Sequence, residues 1–201
     1  MINTIIFDIG NVLIDFRWEA YLKDCAYDED VIRKIGNATV NNKLWKEWDR
    51  GAKEVDELID RSCKIEPSVE KEIRKFFDDF LLLVEEYDFS ADFLKDLKQN
   101  GYKIYLLSNY SKRNFELGKA YFNFMEYVDG GLISYEIKHI KPEPEIYEAL
   151  IKKYNINPEE AVFLDDLQEN LDGATPFGFS TIQVKSHEQT LEELRKLGVR
   201  I

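Results

Sequence analysis

Basic charge is what this sequence most lacks. Its 201 residues carry 27 Lys and Arg against 39 Asp and Glu, a formal net charge of -12. Affinity for nucleic acid or anionic membrane rests on clustered basic residues, so neither is expected as a partner. A small anionic substrate remains compatible, because local charge in a cleft can oppose the global sign. Cysteine is nearly absent: Cys25 and Cys63 stand in no CxxC or Cys/His cluster. They read as reduced, buried thiols without a catalytic role. Glycine and proline are few, at 10 and 5, and there is no repeat or low-complexity linker. No apolar run approaches membrane-spanning length. The opening MINTIIFD has no basic stretch, and Asp8 and Asp15 interrupt its apolar residues. No signal peptide is therefore expected, and the expected location is the cytoplasm.

With 44% hydrophobic residues, the composition is that of a globular protein. A chain of this length buries roughly 70% of its unfolded surface, so no disulfide is needed to hold it. Short β-branched or apolar runs occur at 3–8 (NTIIFD), 102–109 (YKIYLLSN), 161–166 (AVFLDD) and 180–185 (STIQVK). Continuous apolar strands of this kind belong in a parallel sheet covered on both faces. Helical patterns separate them. Ser90 and Gly101 bracket one at 90–101, Pro144 opens another at 144–155, and a third at 187–198 ends at glycine. Strand–helix alternation predicts an α/β fold with a Rossmann-like, three-layer core.

Residues 15–88 break the alternation and show no convincing strand. Residues 67–87 place Val69, Ile73, Phe76, Phe77, Phe80, Leu81 and Val84 on one helical face. The stretches around Trp45 and Trp48 and at 54–64 also read as helices. An α-helical insertion of roughly 70 residues is too long for an ordinary loop. Because ligands of open α/β sheets bind beyond the carboxyl ends of the strands, an insertion leaving just after Asp8 reads as a lid. The expected division is a core of 1–14 and 89–201 with a helical cap of 15–88.

Strand ends and the loops after them carry Asp8, Ser108 and Asn109, Lys141, and Asp165 and Asp166. In the predicted topology these converge on one edge. Clustered carboxylates repel one another and call for a hard cation, and oxygen ligands favour Mg²⁺. An aspartate beside such a cation can attack phosphorus and form an aspartyl-phosphate that water hydrolyses. A lysine with Ser and Asn donors can hold the oxygens over which charge spreads in the transition state. Read singly, each group has a plainer role as a turn residue or a solvated side chain. The pair Asp165–Asp166 resists that reading most, since adjacent acids after an apolar strand need relief of repulsion.

In order, the motifs FDIGNVL, LLSNYS, IKPEPEIY and FLDDLQEN resemble those of the haloacid dehalogenase (HAD) superfamily across essentially the whole chain. The resemblance implies Asp8 as nucleophile, Ser108 and Asn109 on phosphate, and Lys141 as the catalytic and phosphate-binding lysine. It further implies Mg²⁺ held by Asp8, the Gly10 carbonyl and Asp166, with Asp165 beside it. The lid looks like the α-helical cap of the first subclass. Among subgroups the chain looks most like bacterial sugar-phosphate phosphatases acting on α-glucose-1-phosphate. A small phosphorylated metabolite is then the expected substrate.

One position departs from the pattern. HAD phosphatases usually carry a second aspartate two residues after the nucleophile, as acid to the leaving alcohol and base for water, and here that residue is Gly10. Such a proton shuttle typically contributes 10²–10⁴-fold. Three readings stay open: a phosphatase of esters with an acidic leaving oxygen, a 2-haloacid dehalogenase, or an impaired binding or regulatory protein. A dehalogenase works without Mg²⁺ and needs a cap arginine for the halide, for which Arg17 and Arg50 are candidates. His139, near Lys141, is a candidate replacement shuttle, and Asn170 either caps a helix or supports the metal. Asp15, Phe16, Trp18 and Trp45 are the candidate cap contacts to substrate; Trp18, Trp45 and Trp48 serve equally as fillers of a small helical core.

Overall fold

The computed structural model describes all residues, Met1–Ile201. Five strands form one parallel sheet: β1 (Thr4–Phe7), β4 (Lys103–Ser108), β5 (Gly130–Ile133), β6 (Ala161–Asp165) and β7 (Ser180–Gln183), in the order β5-β4-β1-β6-β7. The central strands are apolar on both faces, and the two faces separate cleanly. Ile5, Phe7, Ile104, Leu106, Val162 and Leu164 pack on one side with Phe93, Leu94 and Leu97 of helix α6 (Ser90–Gln99). Ile6, Tyr105, Leu107 and Phe163 pack on the other with Ile146, Tyr147 and Leu150 of α9 (Pro144–Tyr154) and Leu171 of α10 (Gln168–Ala174). Helix α11 (His187–Lys196) joins the first face through Leu194. This is the three-layer α/β core that two-sided burial demands. No helix is long and apolar enough to cross a membrane.

Between Trp18 and Asp78 the regular structure is helical: α1 (Trp18–Asp24), α2 (Glu29–Ala38), α3 (Lys43–Arg50), α4 (Val55–Ile65) and α5 (Glu70–Asp78). The expectation of no strand in 15–88 is corrected. Two short strands, β2 (Ile14–Phe16) and β3 (Val84–Glu86), pair antiparallel and tie the two ends of the helical segment together. The single helix read over 67–87 is in fact α5 followed by a 3₁₀ turn at Phe80–Leu82 and then β3. Its apolar face is nonetheless real: Val69, Ile73, Phe76, Phe77, Phe80 and Val84 are all buried. Cys63 is buried in α4, Cys25 lies half-buried just after α1, and both are free.

Local signals explain the element ends. Asn42 caps α3 by accepting from the Leu44 N–H at 3.1 Å. Gly51 ends it in the left-handed region, with φ 61°. A Cβ at Gly51 would also meet the Tyr135 Cβ at 2.8 Å. Ser90 is not the cap expected of it: it is the first helical residue of α6, and its hydroxyl donates to the Leu13 carbonyl at 2.7 Å. Gly101 (φ 88°) follows that helix and Pro144 opens α9, as their positions predict. The remaining short helices are α7 (Lys112–Lys119) and α8 (Ser134–Ile137).

Candidate active site

Phe7 lies level with Leu106 of β4 and Leu164 of β6, so the next residue, Asp8, leaves the sheet between its neighbours' carboxyl ends. Strand order reverses about β1, which makes this edge the switch point where α/β sheets bind ligands. The Asp8 N–H donates to the Leu164 carbonyl at 2.9 Å, and Asp8 Oδ1 accepts from the Ile9 N–H at 2.7 Å. Ser108 ends β4 and Asp165 ends β6, so three strand termini deliver polar groups to one place.

Lys141 arrives from the loop before α9. Its backbone is held by Asn109, whose Oδ1 accepts from the Lys141 N–H at 2.7 Å and whose Nδ2 donates to the Lys141 carbonyl at 3.0 Å. The ammonium, on a side chain 1% exposed, lies 2.9 Å from Asp8 Oδ1 and 2.6 Å from Asp165 Oδ2. Asp165 is occupied by structure: besides Lys141 it accepts from the Leu167 N–H at 2.9 Å and from Asn170 Nδ2 at 2.9 and 3.1 Å. Asp166 is more open, accepting from Asn11 Nδ2 at 3.0 Å. A buried lysine between two carboxylates meets the condition under which an interior charge is tolerable.

Burial pushes the Asp8 carboxyl up to about 6 despite the opposing charge of Lys141 and a hydrogen bond from Ser108, and Asp165 and Asp166 push the same way. The Asp166 carboxyl is raised as well, first by burial. Oxygens of Asp8, Asp165 and Asp166 lie within 4.8 Å of one another, and the buried Oδ1 of Asn170 has no partner. The donor set is oxygen only, carries excess negative charge, and fits a hard divalent cation.

Over this edge lies a cleft of about 490 Å³, counting its open mouth, lined from the core by Asp8, Gly10, Asn11, Ser108 and Asn109. Phe16 of β2 and Trp45 and Asp49 of α3 line it as well, from the segment inserted after β1. Phe16 and Trp45 stack with ring centroids 5.7 Å apart. Two further wall residues have unpartnered buried atoms, the Tyr110 hydroxyl and Asn114 Oδ1.

The other sequence candidates stand elsewhere. Asp15 pairs with Glu85 across the β2–β3 ribbon, and Trp18 packs against Gly36, so neither lines the cleft. Arg17 is 2.8 Å from Asp24. Arg50 grips Glu143 with two hydrogen bonds, at 2.8 and 2.6 Å, so neither arginine is positioned for a halide. His139 Nδ1 lies 3.0 Å from Glu143, outside the cleft, which removes it as the shuttle. Asn170 neither caps its helix nor faces the cleft; it supports Asp165. Sequence reading missed Asn11, Asp49, Tyr110 and Asn114. The signal for Asp49 was its place four residues after Trp45, on the same helical face. Burial and the charge of Asp8 hold the Asp49 carboxyl well above the ordinary carboxylate range, against the pull of Lys141.

Known proteins share this arrangement of chain. D-ribitol-5-phosphate phosphatase of Bacteroides thetaiotaomicron is 27% identical over 96% of this chain and 97% of its own length. Pyrophosphatase PpaX of Bacillus cereus is 26% identical over 91% of this chain and 83% of its own. A crystal structure of a HAD family enzyme from B. thetaiotaomicron, in complex with magnesium and inorganic phosphate, matches with a TM-score of 0.72. It is 25% identical over 93% of this chain and 96% of that one. L-2-haloacid dehalogenase of Xanthobacter autotrophicus, 19% identical with a TM-score of 0.68 over all of this chain and 85% of that one, shares the fold. The family model for haloacid dehalogenase-like hydrolases matches residues 2–178, which takes in Asp8, Ser108, Lys141 and Asp165–Asp166 alike: the chain belongs to that family.

Proposed function

We propose that the protein is a Mg²⁺-dependent phosphatase of small phosphomonoesters, of the sugar- or polyol-phosphate class, acting through phospho-Asp8. The observation that carries this reading is the buried Asp8–Lys141–Asp165 chain at the switch point, with Asp166 open beside it. An Asp8 oxygen forms the bond to phosphorus as the ester bond breaks, and water then cleaves the aspartyl-phosphate. Lys141, Ser108 and Asn109 hold the phosphoryl oxygens, where donors act most strongly as charge spreads. Asp8, Asp166 and the Gly10 carbonyl would hold the cation, which screens the carboxylate from the anionic phosphoryl group. The unpartnered Tyr110 hydroxyl and Asn114 Oδ1 suit a polyhydroxylated substrate body. Residues 1–14 and 89–201 act as catalytic core and 15–88 as a cap that excludes water.

The ester itself is chosen between chemistries. Relatives bear the names of ribitol-5-phosphate and pyrophosphate as substrates; α-glucose-1-phosphate, suggested by the motifs, joins them as a candidate. Turnover of these three and of p-nitrophenyl phosphate, with and without Mg²⁺, tests the proposal beside a 2-haloacid control. Metal-dependent phosphate release that Asp8→Asn reduces by more than about 10³-fold is the expected result, the scale of nucleophile removal. Full turnover by Asp8→Asn, or halide release without metal, overturns it.

A further inference from the structure

Resting on that phosphatase reading, we propose that Asp49 supplies the proton shuttle that Gly10 lacks, reaching the leaving oxygen from the opposite wall of the cleft. Asp8 and Asp49 are the two carboxylates that line the cleft, one from the sheet edge after β1 and one from α3. A Cβ built at Gly10 meets nothing within 4 Å, so the place of the usual acid is open space. The substrate's leaving oxygen must lie on the side of phosphorus away from Asp8, because attacking and leaving oxygens are roughly in line. A group on the facing wall is placed for that oxygen.

Asp49 is also held as a working group is held, with its backbone fixed and its carboxyl free. Its carbonyl accepts from the Ser134 hydroxyl at 2.6 Å. The next residue, Arg50, is clamped to Glu143 and donates to the Lys138 carbonyl at 3.1 Å, and Lys138 donates to the Gly51 carbonyl. The carboxyl has charged neighbours in Asp8 and Lys141 but accepts no hydrogen bond from the chain.

The cycle balances. As Asp8 bonds to phosphorus, the phosphorus–oxygen ester bond breaks, its electron pair goes to the leaving oxygen, and the Asp49 proton follows to give the alcohol. The Asp49 carboxylate then takes a proton from water while that water's oxygen bonds to phosphorus and the phospho-Asp8 bond breaks. Inorganic phosphate leaves, with Asp8 ionised and Asp49 protonated again.

Leaving-group dependence tests this. Asp49→Asn is nearly isosteric and removes no hydrogen bond, so its unfolding temperature should stay near that of the wild type. The variant should lose about 10²-fold or more in kcat on phenyl phosphate and less than about 10-fold on p-nitrophenyl phosphate, whose acidic leaving group needs little help. The double variant Asp49→Asn/Gly10→Asp places a carboxyl at the usual position and should regain about 10-fold or more on phenyl phosphate. Equal losses on the two esters, no loss on either, or no regain in the double variant overturns the role of Asp49 while leaving a metal-dependent phosphatase standing. Absence of turnover by the wild type on both esters removes the phosphatase reading and this role with it.

Discussion

At the scale of single residues, the site is held against the protein's own stability. Asp8 has its carboxyl raised from 3.8 to about 6, chiefly by burial. A folded-state value above the unfolded one means the native protein binds the proton more tightly, so stability is greatest below the unfolded value and falls as pH rises through about 6. A shift of this size corresponds to about 2–3 kcal/mol at neutral pH. Asp8→Asn, which cannot ionise, is therefore expected to be more stable than the wild type by about 1–3 kcal/mol at pH 7 in EDTA, with the gap closing toward pH 4. Urea unfolding across that range measures it, and an Asn variant no more stable at pH 7 than at pH 4, relative to wild type, contradicts it. Asp8, Ser108, Lys141, Asp165 and Asp166 were legible because each sits where an apolar strand ends or in a loop with motif spacing. Asp49 was not, because its significance depends on which face of a short helix meets an edge completed 92 residues further along the sequence, at Lys141. Distance in the chain hides what packing joins. Arg17, Arg50 and His139 misled for the complementary reason: a lone charged residue does not reveal its partner.

The element that decides most is α3, and its carboxyl end is the part that matters. Its amphipathic sequence buries Leu44 and Trp48 and turns Trp45 and Asp49 toward the cleft. Glycine at 51 then frees Arg50 to fork onto Glu143, whose carboxyl is held down to about 2, first by the Arg50 hydrogen bond. A lowered folded value gives stability that is present above the unfolded value near 4.5 and lost as pH falls toward about 2, so the clamp is intact throughout the neutral range. Glu143 is a third exposed, and the pair therefore adds at most about 1 kcal/mol to folding. Its effect on geometry is larger than its effect on stability, since small misplacements of reacting groups cost up to about 10²-fold. Glu143→Gln is thus expected to lower kcat by about 10-fold or more while shifting stability by less than about 1 kcal/mol. Parallel steady-state kinetics and thermal unfolding check this; a loss of stability matched by unchanged kcat would make the clamp purely structural.

Across the whole molecule, the four sheet strands read from sequence are those with continuous apolar runs, and three further strands escaped. β5 begins GGLI, and its glycines hide it: a Cβ at Gly131 would meet the Leu106 carbonyl oxygen at 2.8 Å, so close strand packing selected against the residues that announce strands. β2 and β3, at 3 residues each, are too short to show a period, and each becomes a strand only because the other returns beside it. That return joins the helical segment to the sheet through a paired ribbon rather than two loose strands, close to where the sequence divides core from cap. The same global view sets what a cation should do. With a net charge of -12, any salt relieves some repulsion, but only a specific site rewards a divalent ion at equal ionic strength. Binding to the native state at about 100 times the dissociation constant adds about 2.7 kcal/mol, or roughly 5–10 °C for a domain of this size. Mg²⁺ at pH 7 is therefore expected to raise the unfolding temperature by several degrees beyond NaCl of matched ionic strength. Asp166→Asn, which leaves the Lys141 ion pairs in place, should lose most of that excess. An equal response to both salts in the wild type would mean the carboxylates are balanced by Lys141 alone, and would remove the cation from the mechanism.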